Sequence, residues 1–275
     1  MTKVGFIGLG NMGKPLATNI AQAGFDLMVY DRREQPMKEL AATGAKTAGS
    51  AADVGKHGEV IGLAVVDDEQ VEEVTLGDGG LMSSAKPGTV IAVHSTIHPR
   101  TVRKLADILK AKGIGLVDAQ MSGGSAGAKD KTLCFMVGGE SPLFEKCRPV
   151  LEASGKHIFH MGAVGTGATA KLAQQTMVVV NILSAYEGMS LAQKAGIDPE
   201  VFQELVRVSA GQSRMADNWL KFSDKTGKDP HMVELFFKGV CPAVEMAHEL
   251  GLPVPGLALA QQLLARIFEG KISNG

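Results

Sequence analysis

Glycines at the spacing of a phosphate-binding turn occur almost at the start of the chain. They form the segment Gly8-Leu9-Gly10-Asn11-Met12-Gly13. A strand-like stretch, Lys3–Ile7, precedes the segment, and a helical pattern, Lys14–Ala23, follows it. In that context the first glycine permits a tight turn, the second lets the backbone approach a pyrophosphate, and the third allows close helix packing. The spacing predicts a dinucleotide site rather than a purely structural turn.

The residues after the second strand-like stretch bear on the choice of dinucleotide. Asp31 follows Asp26–Tyr30 and can accept hydrogen bonds from the ribose hydroxyls of NAD. Arg32 and Arg33 come next and can clamp the 2′-phosphate of NADP, although two arginines in a solvated loop are an equally simple interpretation. The sequence leaves NAD and NADP both open, and the two guanidinium groups favour NADP.

A lysine suited to proton transfer follows a later glycine-rich stretch. Lys171 lies near the start of a predicted long helix, Ala168–Lys194. The positive helix end and partial burial both disfavour an ammonium, so we expect a lowered pKa. Such an amine can exchange a proton with a carbinol oxygen while a hydride passes to or from nicotinamide. A lysine near a helix start is more often an exposed surface residue, so the residue by itself favours that interpretation over a catalytic one.

The order of the predicted elements indicates the fold that must position these residues. Strand-like and helical segments alternate as far as about residue 160, which is typical of βαβ units and a parallel sheet. The predicted strands are Lys3–Ile7, Asp26–Tyr30, Val60–Val65, Val90–His94, Gly115–Asp118, Cys134–Gly138 and His157–His160. After Gly167 the pattern is helical to the end. We therefore predict an α/β fold with a doubly wound Rossmann-type domain, residues 1–162, and an all-α domain, residues 163–275.

The predicted long helix carries many small residues, which indicates close packing on both of its sides. This favours an all-α domain that binds substrate and forms a homodimer, although packing within one chain explains the same pattern.

Composition excludes several classes of protein. The chain has 275 residues, 45% of them hydrophobic, and 28 basic against 29 acidic residues. This balance offers no surface charge for nucleic acid or for an anionic membrane. The best apolar run, Met177–Leu183, is too short to cross a bilayer. Three scattered cysteines favour a reducing cytoplasm over disulfides, and no metal site is expected.

Four stretches together resemble the β-hydroxyacid dehydrogenase family. They are Gly8-Leu9-Gly10-Asn11-Met12-Gly13, Ser95-Thr96, Asp118-Ala119-Gln120-Met121-Ser122-Gly123-Gly124, and Gly162-Ala163-Val164-Gly165-Thr166-Gly167 leading to Lys171. That family includes 3-hydroxyisobutyrate dehydrogenase and tartronate semialdehyde reductase and is related to 6-phosphogluconate dehydrogenase. Order and spacing match over most of the chain, which is more specific than any one glycine motif.

The resemblance implies roles for further residues. Beside the dinucleotide it places Val65, Val66 and Thr96, and near the nicotinamide or substrate it places Lys238. It also makes Lys171 catalytic. The substrate's acidic group is assigned to Ser122, Gly123 and Gly124, whose backbone amides and hydroxyl form a concave set of donors.

Two more residues are candidates for the substrate site. Gln175 is four residues beyond Lys171, so it shares that helix face and can bind the substrate or orient the amine. Arg214 falls in a segment that borders the site in the family and can add a cation, although a surface arginine is the simpler interpretation.

The chain departs from the family pattern at several positions. Gln175 replaces a usual asparagine, Gly239 a usual aspartate after the lysine, and Val66 a usual proline. Gln120-Met121 stands where proline and valine are common. The departures near the substrate predict an unusual specificity within the family.

These residues predict an NAD(P)-dependent enzyme that acts on a CH–OH group. The expected substrate is a small anionic 3-hydroxy acid, or an analogous hydroxy-phosphonate or hydroxy-sulfonate, with Lys171 as general acid and base. Two rivals remain. An imine reductase has a similar architecture but generally replaces this lysine, and a non-catalytic dinucleotide sensor needs neither Lys171 nor Ser122.

Overall fold

The chain folds into two compact units. A computed structural model describes residues 1–227 and 230–268. For residues 224–227, 230–237 and 268 it describes the backbone alone. The first unit is Met1–Lys171 and the second is Leu172–Gly275. The division falls inside one long helix, α8 (Thr166–Lys194).

The first unit is built on one sheet. Within the described residues it has eight strands in the order β3-β2-β1-β4-β5-β6-β7-β8. The strands are β1 (Lys3–Ile7), β2 (Asp26–Tyr30), β3 (Lys46–Thr47), β4 (Val60–Leu63), β5 (Val90–Val93), β6 (Gly115–Ser122), β7 (Leu133–Gly138) and β8 (Gly155–Gly162). The strand order turns at β1, which is the doubly wound arrangement predicted from the alternating pattern.

Helices connect the strands of the first unit. They are α1 (Gly13–Gln22), α2 (Glu34–Ala41), α3 (Ala51–His57), α4 (Asp68–Leu76), a short 3-10 helix (Leu81–Ser83), α5 (Pro99–Lys110), α6 (Gly124–Lys129) and α7 (Ser141–Glu152). Several begin at a side-chain cap, as at Ser50, whose hydroxyl accepts a hydrogen bond from the Asp53 amide.

The second unit is helical throughout its described part. After α8 come α9 (Pro199–Arg207), α10 (Arg214–Asp217), α11 (Trp219–Gly227), α12 (Pro230–Glu249) and α13 (Pro255–Phe268). The Rossmann-type α/β domain followed by helices is the predicted fold class. None of the described helices combines the length and apolar character needed to cross a bilayer.

Three details differ from the sequence-based expectations. The sheet is not wholly parallel, because β7 runs antiparallel to β6. Only a short connection containing α6 joins them, and a parallel crossover needs about a dozen residues or more. The strand β3 was not predicted, since two exposed residues carry no periodic signal. The long helix begins at Thr166, so Lys171 lies in its second turn.

Apolar side chains on alternate sides of the strands form the two hydrophobic cores of the first unit. On β1, Val4 and Phe6 belong to one buried cluster and Ile7 to the other. Successive side chains of a strand point to opposite faces, so the two clusters cover the two faces of the sheet. The second unit has its own cluster, which includes Leu172, Val179 and Trp219.

Candidate active site

The predicted site residues of the first unit follow strands that end at one edge of the sheet. β1 pairs in parallel with β2 and β4, and β4, β5 and β6 continue in parallel. The carboxyl ends of parallel strands meet at the same edge, which is where open α/β sheets bind ligands. The glycine turn follows β1, Val65 and Val66 follow β4, Thr96 follows β5, and Ser122 ends β6.

The glycine turn has the geometry that a dinucleotide requires. Gly8 has a φ of 90°, and a Cβ there would lie 2.4 Å from the carbonyl oxygen of Ala64. A Cβ at Gly13 would lie 1.8 Å from the carbonyl oxygen of Gly8. At Gly10, by contrast, a Cβ would meet nothing within 4 Å. Packing therefore explains the first and third glycines, while the second leaves open space in which a pyrophosphate can approach the start of α1.

Asp31 fixes the glycine turn to the end of β2. Its carboxylate accepts hydrogen bonds from the Leu9 amide at 2.6 Å and from the Arg33 amide at 2.8 Å. The Arg33 guanidinium adds two more, from Nε at 3.0 Å and Nη2 at 3.2 Å. Burial opposes the ionisation of Asp31, but these bonds outweigh it and lower the pKa of the carboxyl. Asp31 thus has a structural role that the sequence did not indicate, and its bonding to a ribose stays a prediction.

The other arginine reaches in a different direction. Arg32 donates to Glu73 on α4, with 2.6 Å between Nη2 and Oε2, and both side chains are exposed. An exposed ion pair contributes only about 0–1 kcal/mol, so Arg32 can be redirected to a ligand at little cost.

Side-chain hydrogen bonds join the ends of β4, β5 and β6. The Ser95 hydroxyl accepts from the Val65 amide and donates to the Val65 carbonyl, both at 2.9 Å. The Gln120 amide donates to the carbonyl oxygens of Ser95 at 2.8 Å and Val93 at 3.2 Å. Gln120 is fully buried. Gln120 therefore holds the end of β5, next to Thr96, against β6. The sequence did not indicate this role, because Gln120 stood out only as a departure from the family pattern.

The Ser122-Gly123-Gly124 turn lies where β6 passes into α6. Gly123 and Gly124 have φ values of 130° and 65°, which only glycine adopts readily. Ser122 is the register partner of Cys134 on the antiparallel strand β7. Ser122 and Gly123 are partly exposed and Gly124 is exposed, so the donors of this turn are accessible to a ligand.

Lys171 is close to the strand pair that carries Ser122. Burial lowers the pKa of the Lys171 amine to about 8, and the charge of a Cys134 thiolate opposes that shift. Burial likewise raises the pKa of the Cys134 thiol, and Lys171 opposes it. Each group thus lies within electrostatic range of the other. The lowered pKa of Lys171 agrees in direction with the sequence-based expectation, and Cys134 is a neighbour that the sequence did not reveal.

The start of α8, which presents Lys171, is anchored by Asp118. This fully buried carboxylate accepts from the Gly165 amide at 2.8 Å and from the Ala168 amide at 2.7 Å. A Cβ at Gly167 would lie 2.3 Å from the Asp118 carbonyl oxygen, so the helix start packs directly on β6. In the sequence Asp118 stands out only as part of a family motif, because a residue 47 positions from its partner gives no local signal.

The remaining candidates lie in the second unit. Gln175 on α8 packs against Gly239 on α12, since a Cβ at Gly239 would lie only 2.4 Å from Gln175 Cγ. Lys238, the neighbour of Gly239, is exposed. Arg214 is the first residue of α10 and is also exposed.

Comparison with known proteins follows the division seen in the sequence. A family model described as the NAD binding domain of 6-phosphogluconate dehydrogenase matches residues 3–162. A second model, described as NAD-binding of NADP-dependent 3-hydroxyisobutyrate dehydrogenase, matches residues 165–272.

Individual relatives extend along nearly the whole chain. A 2-(hydroxymethyl)glutarate dehydrogenase of Eubacterium barkeri is 35% identical, over 99% of this chain and 90% of the relative. A 2-hydroxy-3-oxopropionate reductase of Escherichia coli is 34% identical, over 95% of this chain and 89% of the relative. The crystal structure of 3-hydroxyisobutyrate dehydrogenase from Salmonella typhimurium is 29% identical with a TM-score of 0.85, and the match covers 96% of this chain and 93% of that one.

Proposed function

This chain belongs to the β-hydroxyacid dehydrogenase family, and on that premise we propose that it transfers a hydride between a nicotinamide dinucleotide and a small anionic 3-hydroxy acid or its carbonyl product. A hydroxy-phosphonate or hydroxy-sulfonate of the same shape belongs to the same substrate class. The observation that carries the proposal is the Lys171 amine, with a pKa lowered to about 8, beside the strand pair that ends in Ser122.

We assign a separate role to each group of residues. A nicotinamide dinucleotide held by the turn from Gly8 to Gly13 would supply the hydride acceptor in oxidation and the hydride donor in reduction. Lys171 takes the proton of the carbinol oxygen in oxidation and gives it back in reduction, and its pKa near neutrality suits both directions. The Ser122-Gly123-Gly124 turn binds the substrate's anion. Asp118 keeps the start of α8, and with it Lys171, in place.

The proposal divides the work between two regions of the chain. Residues 1–162 bind the dinucleotide through Gly8 to Gly13, Asp31, Arg32, Arg33, Val65, Val66 and Thr96. Residues 163–275 contribute Lys171, Gln175, Lys238 and Arg214 to the substrate. The names of the relatives support a hydroxy acid rather than an imine as substrate, since both relatives described above are hydroxy acid dehydrogenases or reductases by name.

The anionic headgroup gives the sharpest test of substrate class. We expect carboxylate, sulfonate or phosphonate substrates to exceed the matched methyl ester by at least roughly tenfold in kcat/KM. A neutral ester would cover the donors of the turn without giving them a charged acceptor, at about 1–3 kcal/mol for each donor left unpaired in the complex. Steady-state assays with both cofactors measure this ratio.

Two serine variants show whether the turn is responsible for the preference. Ser122→Ala should reduce the preference for the anion, while Ser125→Ala, on the exposed first turn of α6, should leave it unchanged. Equal turnover of ester and acid by the wild-type chain would contradict the anion-binding role of Ser122.

NADP(H) is the preferred form of the cofactor in this proposal. Two guanidinium groups lie directly after β2, and the Asp31 carboxylate is already engaged by Leu9 and Arg33. Its capacity to accept from the ribose hydroxyls of NAD is correspondingly reduced, whereas a 2′-phosphate gains two nearby cations.

The double variant Arg32→Ala/Arg33→Ala tests that preference. We expect kcat/KM with NADP(H) to fall by about tenfold or more, since hydrogen bonds to charged groups contribute about 1.5–3 kcal/mol, while NAD(H) use changes less. Kinetics with each cofactor separate the two effects. Arg148→Ala serves as the control, because Arg148 is another exposed arginine paired with a glutamate. Equal losses with the two cofactors would return the leading role to Asp31.

We also propose that the enzyme is a cytoplasmic homodimer. On α8, Ala173, Met177, Ser184 and Leu191 are exposed and recur at helical spacing, and Met177 and Leu191 are 67% and 73% exposed. Small and apolar residues on one helix face suit close contact with a second subunit. The three cysteines, Cys134, Cys147 and Cys241, are free thiols, as is usual in a reducing compartment.

A further inference from the structure

The glycine at position 239 lies in the interior of a helix, where glycine is unfavourable. Gly239 belongs to α12, ten residues from its end at Glu249. Its φ lies outside the left-handed region that favours glycine. Glycine is disfavoured in helix interiors, because it loses more conformational freedom on folding than any other residue and exposes the backbone to water. The backbone therefore gives no reason for glycine here, and the reason lies in packing.

The space next to Gly239 is filled by Gln175. A Cβ at Gly239 would lie 2.4 Å from Cγ, 3.2 Å from Cδ and 3.3 Å from Cβ of Gln175. Gly239 is itself buried. The longer amide side chain at position 175 thus lies directly across the backbone of α12 and occupies the place that any side chain at 239 would need.

The same Gln175 lies four residues beyond Lys171 on the continuous helix α8. Residues at that spacing share a helix face, so the Gln175 side chain is the neighbour of the Lys171 side chain along that face. The direction of the Gln175 amide therefore affects the space beside the lysine amine. Gly239 has no side chain of its own, so it affects this face only through the space that it leaves for Gln175. The two departures from the family pattern at positions 175 and 239 are therefore one packing unit.

We propose that Gly239 is a specificity-determining residue: by leaving room for Gln175 across α12, it sets the direction of the Gln175 amide and hence the size of the group that a hydroxy acid substrate can carry beside its carbinol carbon. The inference rests on the proposed dehydrogenase function. It predicts that a methyl group at 239 displaces the amide along α8, and that the displacement depends on the presence of the Gln175 side chain.

A double-mutant cycle over Gly239→Ala and Gln175→Ala tests the contact and its effect on substrate. The single variant Gly239→Ala should raise KM for hydroxy acids by about tenfold or more, most for those with the largest substituent, and lower the thermal midpoint. The dissociation constant of the dinucleotide should stay within about twofold. In the Gln175→Ala background, Gly239→Ala should change KM by less than about twofold and no longer lower the midpoint.

A glycine on the other helix, α8, is the matched control. Gly188 is also helical, and a Cβ there would meet nothing within 4 Å. Gly188→Ala should leave KM unchanged and keep or raise the thermal midpoint, as expected of a helical glycine without a close neighbour.

Two outcomes would overturn the inference while the proposed function stands, and a third would overturn both. Equal effects of Gly239→Ala with and without the Gln175 side chain would show that the two residues are not coupled. A lower thermal midpoint with unchanged KM across the acids would leave Gly239 a structural role alone. If the wild-type chain oxidised no hydroxy acid and reduced no carbonyl product, the proposed function would fail and the specificity role with it, while the stability cycle would still report on the contact.

Discussion

Replacement of Lys171 by alanine should lower turnover by roughly a hundredfold or more while dinucleotide affinity stays within a few-fold. The expected size is that of a positioned general acid and base, which contributes about 10²–10⁴-fold. The alanine variant keeps the glycine turn and Asp31 intact, so it removes the proton acceptor without removing the cofactor site. Stopped-flow measurement of hydride transfer and fluorescence titration of the reduced cofactor separate the two quantities.

The pH dependence should follow the titration of the same amine. With a pKa lowered to about 8 by burial, Lys171 is charged below that pH and neutral above it. Oxidation needs the neutral amine as a base, so kcat/KM should rise with pH and level off above about 8. Reduction needs the ammonium as an acid, so kcat/KM should fall above the same value. Both inflections should vanish in the alanine variant.

Two further lysine variants make the interpretation specific. Lys171→Arg keeps a positive charge but cannot deprotonate, so it should be as inactive in oxidation as the alanine variant. Lys194→Ala removes the exposed lysine at the other end of α8 and should leave turnover and its pH profile unchanged. Normal turnover by Lys171→Ala would remove Lys171 from the mechanism. The dinucleotide sensor considered from the sequence would instead be favoured if the wild-type chain bound the dinucleotide but turned over no hydroxy acid.

The parts of the fold that sequence analysis predicted well are those with a strong local signal. The strands β1 and β2 have the predicted bounds, because each is a short, mainly apolar run that a glycine turn or a charged residue follows. The strand β3 has only two exposed residues, and no pattern distinguishes them from a loop. The direction of β7 depends on the short connection through α6, a constraint of chain length that periodicity does not express.

The site shows the same division between local and long-range information. The glycine turn and the lysine near a helix start are local patterns, and each was identified as a candidate. The residues that support them come from distant positions: Asp118 holds a helix start 47 positions later, and Gln120 bonds to Ser95 from the next strand. Cys134 meets Ser122 only through the antiparallel pairing of β6 and β7. Such contacts arise from topology, so they appear only once the sheet is built.

The buried carboxylate of Asp118 is the acceptor for two backbone amides at the start of α8. It accepts from the Gly165 and Ala168 amides, and its exposure is zero. Burial raises the pKa of this carboxyl, and the backbone hydrogen bonds oppose that shift. Without it, two amides at the helix start lose their acceptor in a place that water does not reach, at about 1–3 kcal/mol for each unsatisfied group.

Asp118→Ala should therefore lower the free energy of unfolding by about 2–6 kcal/mol, the sum for two unsatisfied amides. Denaturant unfolding followed by circular dichroism measures the loss. The matched control is Asp198→Ala: Asp198 also accepts from two amides at a helix start, those of Glu200 and Val201, but it is exposed. Water can replace its carboxylate, so the cost there should be about 0.5–2 kcal/mol, the usual range for a helix cap. A loss for Asp118→Ala no greater than that for Asp198→Ala would show that the start of α8 is held by the close packing of Gly167 on β6 rather than by the carboxylate.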